Sequence, residues 1–336
     1  MPERDPSSEL MRLVNGYQVS QAIHVATALG IADMLKDGPR TCDDLATATG
    51  AHPRTLYRLL RALAAFGVFH EEPERRFGLT PMGDRLRTDA PGSVAPWAAF
   101  IGRPYHWRAW SDLLHSIRTG ENAFRHIHGM DAWTYRARHA DEGAIFDRAM
   151  TGLSRGVGGA VAAAYDFGRF GCIVDVGGGQ GALLADILAV HTDARGILFD
   201  QPHVLSGADA VLRAAGVADR CTVVAGNFFE DVPEGGDAYL LKAIVHDWED
   251  AEGIAILQTC RRVIRPGGRL LVVESLVGPP NKTPETKLSD LNMLVGPGGL
   301  ERTREEFADL FAAAGFRLVD VVPTGTRFSI IEGVPE

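Results

Sequence analysis

Cys172-Ile173-Val174-Asp175-Val176-Gly177-Gly178-Gly179-Gln180-Gly181 is the stretch on which the reading of this 336-residue chain turns. Five residues of buried-strand character run into a glycine loop, and residues 182–190 continue as an apolar helix. Glycines let the backbone turn sharply and let a ligand lie against it. At the carboxyl end of a strand, such a loop marks the place where open α/β sheets bind ligands. Downstream, short apolar strands at 196–200, 222–224, 239–241 and 270–273 alternate with helices, among them 251–263 and 304–314. Residues 318–322 and 327–331 read as closing strands. Continuous apolar strands separated by helices predict a parallel sheet covered on both faces.

Upstream the texture differs. Leu56, Leu59, Leu60 and Leu63 recur at helical spacing, with Pro53 suited to the first turn and Gly67 to the end. Residues 68–70 and 77–79 could pair as a small two-stranded wing, so this part reads as a winged helix-turn-helix. Between it and the glycine loop lies a helical, aromatic-rich segment. Its Phe146 and Met150 stand at i and i+4 on one helix face. The organisation expected is 1–100, 101–168 and 169–336.

Composition narrows the function. Hydrophobic residues make up 46% and charged residues 23%, so disorder is excluded. No stretch approaches the ~20 apolar residues of a membrane span. The start, Met1-Pro2-Glu3-Arg4-Asp5, lacks the basic and apolar runs of a secretory signal, and a cytoplasmic protein is expected. The net charge of −9 argues against a chain whose task is to grip phosphate backbones. In residues 41–90, where a winged-helix DNA reader should be basic, seven arginines face seven acids. The four cysteines are far apart and read as free thiols. The histidines show no metal-ligand spacing, and no metal is expected.

Two ligands suit the glycine loop. Gly177, Gly179 and Ala182 satisfy G-x-G-x-x-A, so a dinucleotide is one. Asp200 ends the next strand, 23 positions after Gly177 (200 − 177), where an acid can bind both ribose hydroxyls of any adenosine ligand. What separates the rivals is Leu241-Lys242-Ala243-Ile244-Val245-His246-Asp247-Trp248, which follows the fourth strand and brings His246 to the mouth of the same crevice. An imidazole of pKa near 6.5 at that position could act as a positioned base at neutral pH. Asp247 is expected to point elsewhere, as a helix-capping or supporting residue.

With Val273-Glu274-Ser275 and Gly298-Gly299-Leu300-Glu301-Arg302-Thr303 added, the chain resembles the S-adenosylmethionine-dependent small-molecule O-methyltransferases of the plant caffeic-acid type, and more so their bacterial natural-product relatives. The resemblance covers nearly the whole chain. It implies a Rossmann-like, seven-stranded class I methyltransferase domain behind a winged-helix dimerisation domain, and a homodimer. It places Gly177, Gly179 and Ser154 at the methionine end of S-adenosylmethionine. Asp200 falls at the ribose, Gly226-Asn227-Phe228 at the adenine and Lys242 beside the cofactor. The family usually has Asp where Asn227 stands; an amide carbonyl still offers an acceptor. Glu274 and Glu301 match the glutamates that flank the catalytic histidine. Trp107, Phe146, Met150, Asn292 and Met293 match the wall of a pocket for a planar aromatic small molecule. Neither a nucleic-acid nor a membrane partner is implied. An acceptor nitrogen, altered chemistry on the same scaffold, or a winged-helix regulator are the alternatives.

Overall fold

Alternate residues of the buried strands feed two apolar layers. Ile173, Leu240, Leu271 and Val273 join one with Leu184, Ile187 and Leu188. Val174, Tyr239, Leu270 and Val272 join the other with Ile256, Leu257, Phe307 and Phe311. Side chains on a strand point alternately to opposite faces, so a strand apolar throughout must be covered twice. This computed structural model describes residues 5–336, the side chain of Arg155 aside. Most of the stretch read above for a secretory signal therefore lies outside the described residues.

The chain divides into two compact units. The first runs through Trp107 and takes in Ala144–Leu153. In it, helices Cys42–Thr49 and Pro53–Ala65 lie between the first and second strands of a small sheet. Leu56, Leu60 and Leu63 are buried in its core, while Leu59 is only partly so. The strands are β1 (Arg40–Thr41), β2 (Phe69–Glu72) and β3 (Arg76–Leu79), in antiparallel order β1-β3-β2. The two-stranded wing expected from sequence thus has a third strand. Arg40 and Thr41 pair with Phe77 and Arg76, and two residues leave no period to read.

The second unit, Arg108–Gly143 and Ser154–Glu336, holds seven strands. They are β4 (Cys172–Val176), β5 (Arg195–Asp200), β6 (Cys221–Ala225), β7 (Ala238–Lys242), β8 (Arg269–Glu274), β9 (Phe316–Pro323) and β10 (Ser329–Pro335). Their order is β6-β5-β4-β7-β8-β10-β9. From β6 to β8 all pairs are parallel, and β10 is antiparallel to both β8 and β9. The parallel run expected from sequence spans β6 to β8, and the two closing strands join it antiparallel. β9 and β10 are joined by only residues 324–328, and so short a link allows only a hairpin. Chain order reverses on either side of β4, and the crevice outside the carboxyl ends of β4 and its neighbours is where such sheets take ligands. Gly177, Asp200, Lys242 and Glu274 all stand at those ends. Among the described residues, no helix is long and apolar enough to cross a membrane.

Candidate active site

The loop after β4 carries three glycines in left-handed conformation, with φ of +70° at Gly177, +63° at Gly179 and +83° at Gly181. A side chain at Gly177 would run into Ile244, whereas the space at Gly179 is open. Asp200 anchors this loop. Its Oδ2 accepts from the Gly179 amide at 2.8 Å and its Oδ1 from the Gln201 amide at 2.6 Å. Burial pushes the Asp200 carboxyl above its ordinary value against the pull of those two amides. Each of its oxygens keeps an unused lone pair. Behind the loop, Asp175 is buried with its Oδ2 unpartnered. Desolvation, then the nearby Asp200, pushes its carboxyl up to about 7.

At the end of β6 the backbone amide of Gly226 donates to the Asp200 carbonyl at 3.0 Å, and any side chain at Gly226 would meet the Phe199 ring. The Asn227 side chain closes its own turn. Its Oδ1 accepts from the Phe229 amide at 3.1 Å and its Nδ2 donates to Glu230 at 3.1 Å. A carbonyl oxygen has two lone pairs, so one acceptor position remains. The half-buried ring of Phe228 lies on the Gly177 side of the crevice. At the end of β7, Lys242 Nζ donates to Ser154 Oγ at 3.0 Å and lies 5.2 Å from the centre of the Phe328 ring. Burial pulls the Lys242 ammonium down to about 8. The eight residues expected to surround a cofactor thus lie in one unit. Most stand at the ends of β4 to β7 and in the loops that follow.

His246 lies in a single helical turn, Val245–Asp247, just after β7. Its Nδ1 is 3.1 Å from Glu301 Oε1 and 3.5 Å from Glu274 Oε2. Glu274, fully buried at the end of β8, also accepts from the backbone amides of Ile244 and His246 through Oε1, at 3.1 and 3.3 Å. Glu301 Oε1 accepts from Ser289 Oγ at 2.6 Å as well. Two expectations need correction. Asp247 does not point away; its Oδ1 is 3.7 Å from His246 Nε2. Nor does the imidazole stand near 6.5. Burial pulls it down, but Glu274, Asp247 and Glu301 together outweigh burial and hold it up at about 10. Burial in turn lifts Glu274 to about 7 and Asp247 to about 6. Glu301 is lowered: burial opposes, but the bond to His246 prevails.

The supports of this turn were not legible in the sequence. Arg302, 1% exposed, donates to the carbonyls of Val245 at 3.2 Å and Trp248 at 3.0 Å, and twice to Asp250 Oδ1 at 3.0 and 2.8 Å. Gly299 packs directly on the backbone between His246 and Trp248, leaving no room for a side chain. Ala243 takes φ +53°, which re-aims the chain after β7. Asp290 Oδ1 receives the Glu301 amide at 2.9 Å. The G-G-x-E-R-T string was read for its glutamate, while its glycine and arginine shape the loop that carries the histidine.

The expected aromatic wall is divided. Trp107, Phe146 and Met150 belong to the first unit, where the Phe146 ring lies 5.4 Å edge-on from Phe100. Asn292 and Met293 belong to the second, on helix Pro284–Val295. There Asn292 Oδ1 accepts from Trp110 Nε1 at 3.0 Å and Met293 is buried. Two donor sets among the described residues have metal-ligand proximity. They are His246, Glu274 and Glu301, and a second set that the sequence did not disclose, Asp112, His115 and His126.

Residues 110–317 match the model of an O-methyltransferase domain, and residues 11–89 that of an O-methyltransferase dimerisation domain. The chain belongs to the O-methyltransferase family. It is 45% identical over 330 residues to the phenazine O-methyltransferase PhzM of Lysobacter antibioticus, covering 98% of this chain and 96% of that protein. It is 37% identical over 336 residues to the 8-amino-8-demethylriboflavin N,N-dimethyltransferase of Streptomyces davaonensis, covering 98% and 96%. The crystal structure of the O-methyltransferase NcsB1 from neocarzinostatin biosynthesis, in complex with S-adenosylmethionine and 2-hydroxy-5-methyl naphthoic acid, superposes with a TM-score of 0.81. That match has 34% identity and covers 94% of this chain and 96% of that one. The seven-stranded unit is thus a class I methyltransferase fold, and the chain is a methyltransferase.

Removing the clamp tests its role. Arg302→Met should cost about 1–3 kcal/mol, because carbonyls held away from water lose their donor. Asp250→Asn should cost less than about 1 kcal/mol, because that carboxylate is 70% exposed. Denaturant midpoints measure both, and equal losses would mean that the ion pair, not the carbonyl clamp, holds the turn.

Proposed function

We propose that this protein transfers the methyl group of S-adenosylmethionine to a hydroxyl of a planar aromatic small molecule, in the making of a natural product, and that it does so as a homodimer. The observation that carries the reading is the imidazole of His246, held by buried glutamates one loop away from a glycine crevice with an acid at its far strand. The crevice fits an adenosyl ligand. Asp200 has acceptors for ribose hydroxyls, Asn227 keeps one lone pair for an adenine amino group, and Phe228 offers a ring face. When bound there, S-adenosylmethionine supplies an electrophilic methyl on a sulfonium. Gly177, Gly179, Lys242 and Ser154 hold its methionine end in this reading, and Asn292 and Met293 of the same unit contribute to the acceptor wall.

Glu301 and Glu274 fix the ring through Nδ1, so that Nε2 takes the acceptor's proton. An imidazole held at about 10 matches a phenol of pKa near 10, which makes the transfer nearly thermoneutral. The cost is that most of the ligand-free protein carries the proton already at neutral pH. A second reading, an amine acceptor, is favoured by the relative that dimethylates an aminoflavin. Dimerisation rests on the matched dimerisation domain and on Leu10, Met11, Leu13 and Val14, all about 60% exposed on the helix Pro6–Val14.

Calorimetry should show tight binding of S-adenosylhomocysteine and none of NAD, with Asp200→Ala weakening the former; the reverse preference would end the cofactor assignment. Light scattering at micromolar concentration should give twice the chain mass, and a fully active monomer would refute the dimer. His246→Ala should lower kcat by about 10²–10⁴-fold with cofactor affinity unchanged. The pH profile has a definite sign. Neutral imidazole exists above its pKa, so log kcat/KM should climb with pH towards about 10 for an acceptor that does not titrate there. Glu301→Gln removes one of the carboxylates that raise the ring, so the climb should move to lower pH. An unmoved profile would show that His246 is not the group titrating.

A further inference from the structure

Asp112 precedes the helix Leu113–Thr119, but its side chain makes no capping bond to it. Its Oδ2 instead lies 2.7 Å from Nδ1 of His126, which stands on the next helix, Ala123–His128. His115 is three residues beyond Asp112, one turn along the same face. The His115 and His126 rings stack with centres 3.7 Å apart and planes 6° from parallel. His115 Nε2 faces Glu121 Oε2 at 3.1 Å. One donor atom each from Asp112, His115 and His126 falls within 4.8 Å of the others.

We propose that Asp112, His115 and His126 form a site for a divalent transition-metal ion of the zinc, cobalt or nickel type, with Glu121 as an available fourth ligand. Two imidazoles and one or two carboxylates are the borderline donors such ions prefer, whereas calcium and magnesium want oxygen alone. Bonds of about 2.0–2.2 Å around a tetrahedral ion put donors roughly 3.4 Å apart. The present spacing therefore has to close by little more than about 1 Å. Parallel stacked rings cannot both aim a lone pair at one point, so His126 must turn out of the stack. Its side chain is 50% exposed and has room to do so.

The backbone beneath is already fixed. The reversal at Gly120 (φ +76°) is followed by Asn122, whose Nδ2 donates to the carbonyls of Leu294 at 2.7 Å and Gly296 at 3.1 Å. An ion would therefore meet a preformed pair of helix ends and spend little on ordering them. It would tie together two helices that pack against helix Pro284–Val295, from which Ser289 holds Glu301. The site is a clip between helices, separate from the methyl-transfer chemistry.

The test titrates Co²⁺ and Zn²⁺ into the full chain without a histidine tag, by visible absorption and calorimetry. One ion per chain should bind, with tetrahedral cobalt bands and a higher melting temperature. His115→Gln with His126→Gln should weaken binding at least 100-fold while S-adenosylhomocysteine binds as before, and His246→Ala should keep the site. Asp112→Asn gives a milder variant that should weaken binding at least 10-fold, with circular dichroism checking its fold. No binding below about 1 mM, binding unchanged in the double variant, or binding lost only in His246→Ala would each overturn the proposal.

Discussion

A carboxylate with no access to water sits at the end of β8, and the site is arranged around it. Desolvating an ion costs several kcal/mol unless partners compensate. Glu274 finds them in two backbone amides of the loop after β7 and in the imidazole of His246. The loop can take only the path that aims Ile244 N and His246 N at one oxygen. Ala243 supplies the left-handed residue that starts this path, and Gly299 the vacancy that lets a second loop press on it. Arg302 closes it from the other side. The histidine is therefore held at both backbone and ring, and its orientation does not rest on a long side chain finding one rotamer.

The electrostatics have the same origin. Three acids around one imidazole cannot all stay ionised without it, and it cannot easily lose its proton while they do. The protonation of the cluster is therefore shared among its members.

Much of this was legible in the sequence because it is encoded in residue types at fixed spacing. Apolar strands, the glycine loop and Asp200 announce a ligand-binding α/β sheet. Lys242, His246, Glu274 and Glu301 are named by the strings around them. What escaped depends on long-range geometry. The β10 direction follows from a short connection, not from the strand's own texture. Asp247 faces the ring because the turn is a tight helical one, and periodicity says nothing of that. The elevated imidazole comes from the sum of three carboxylates distant in sequence. Asp112, His115 and His126 became neighbours only through the reversal at Gly120.

The placement of β10 bears on how the protein is made. It follows β9 along the chain, yet it lies between β8 and β9. During folding, the parallel strands present an open β8 edge, and β9 has no partner, until residues 329–335 are in place. Exposed edges of this kind invite association with other chains. Some 55 residues separate the end of β8 from the start of β10 (329 − 274), so this edge is closed only by a strand distant in sequence. The 324–328 turn lets β9 and β10 pair locally and fast, and docking of β10 on β8 is the step that closes the edge.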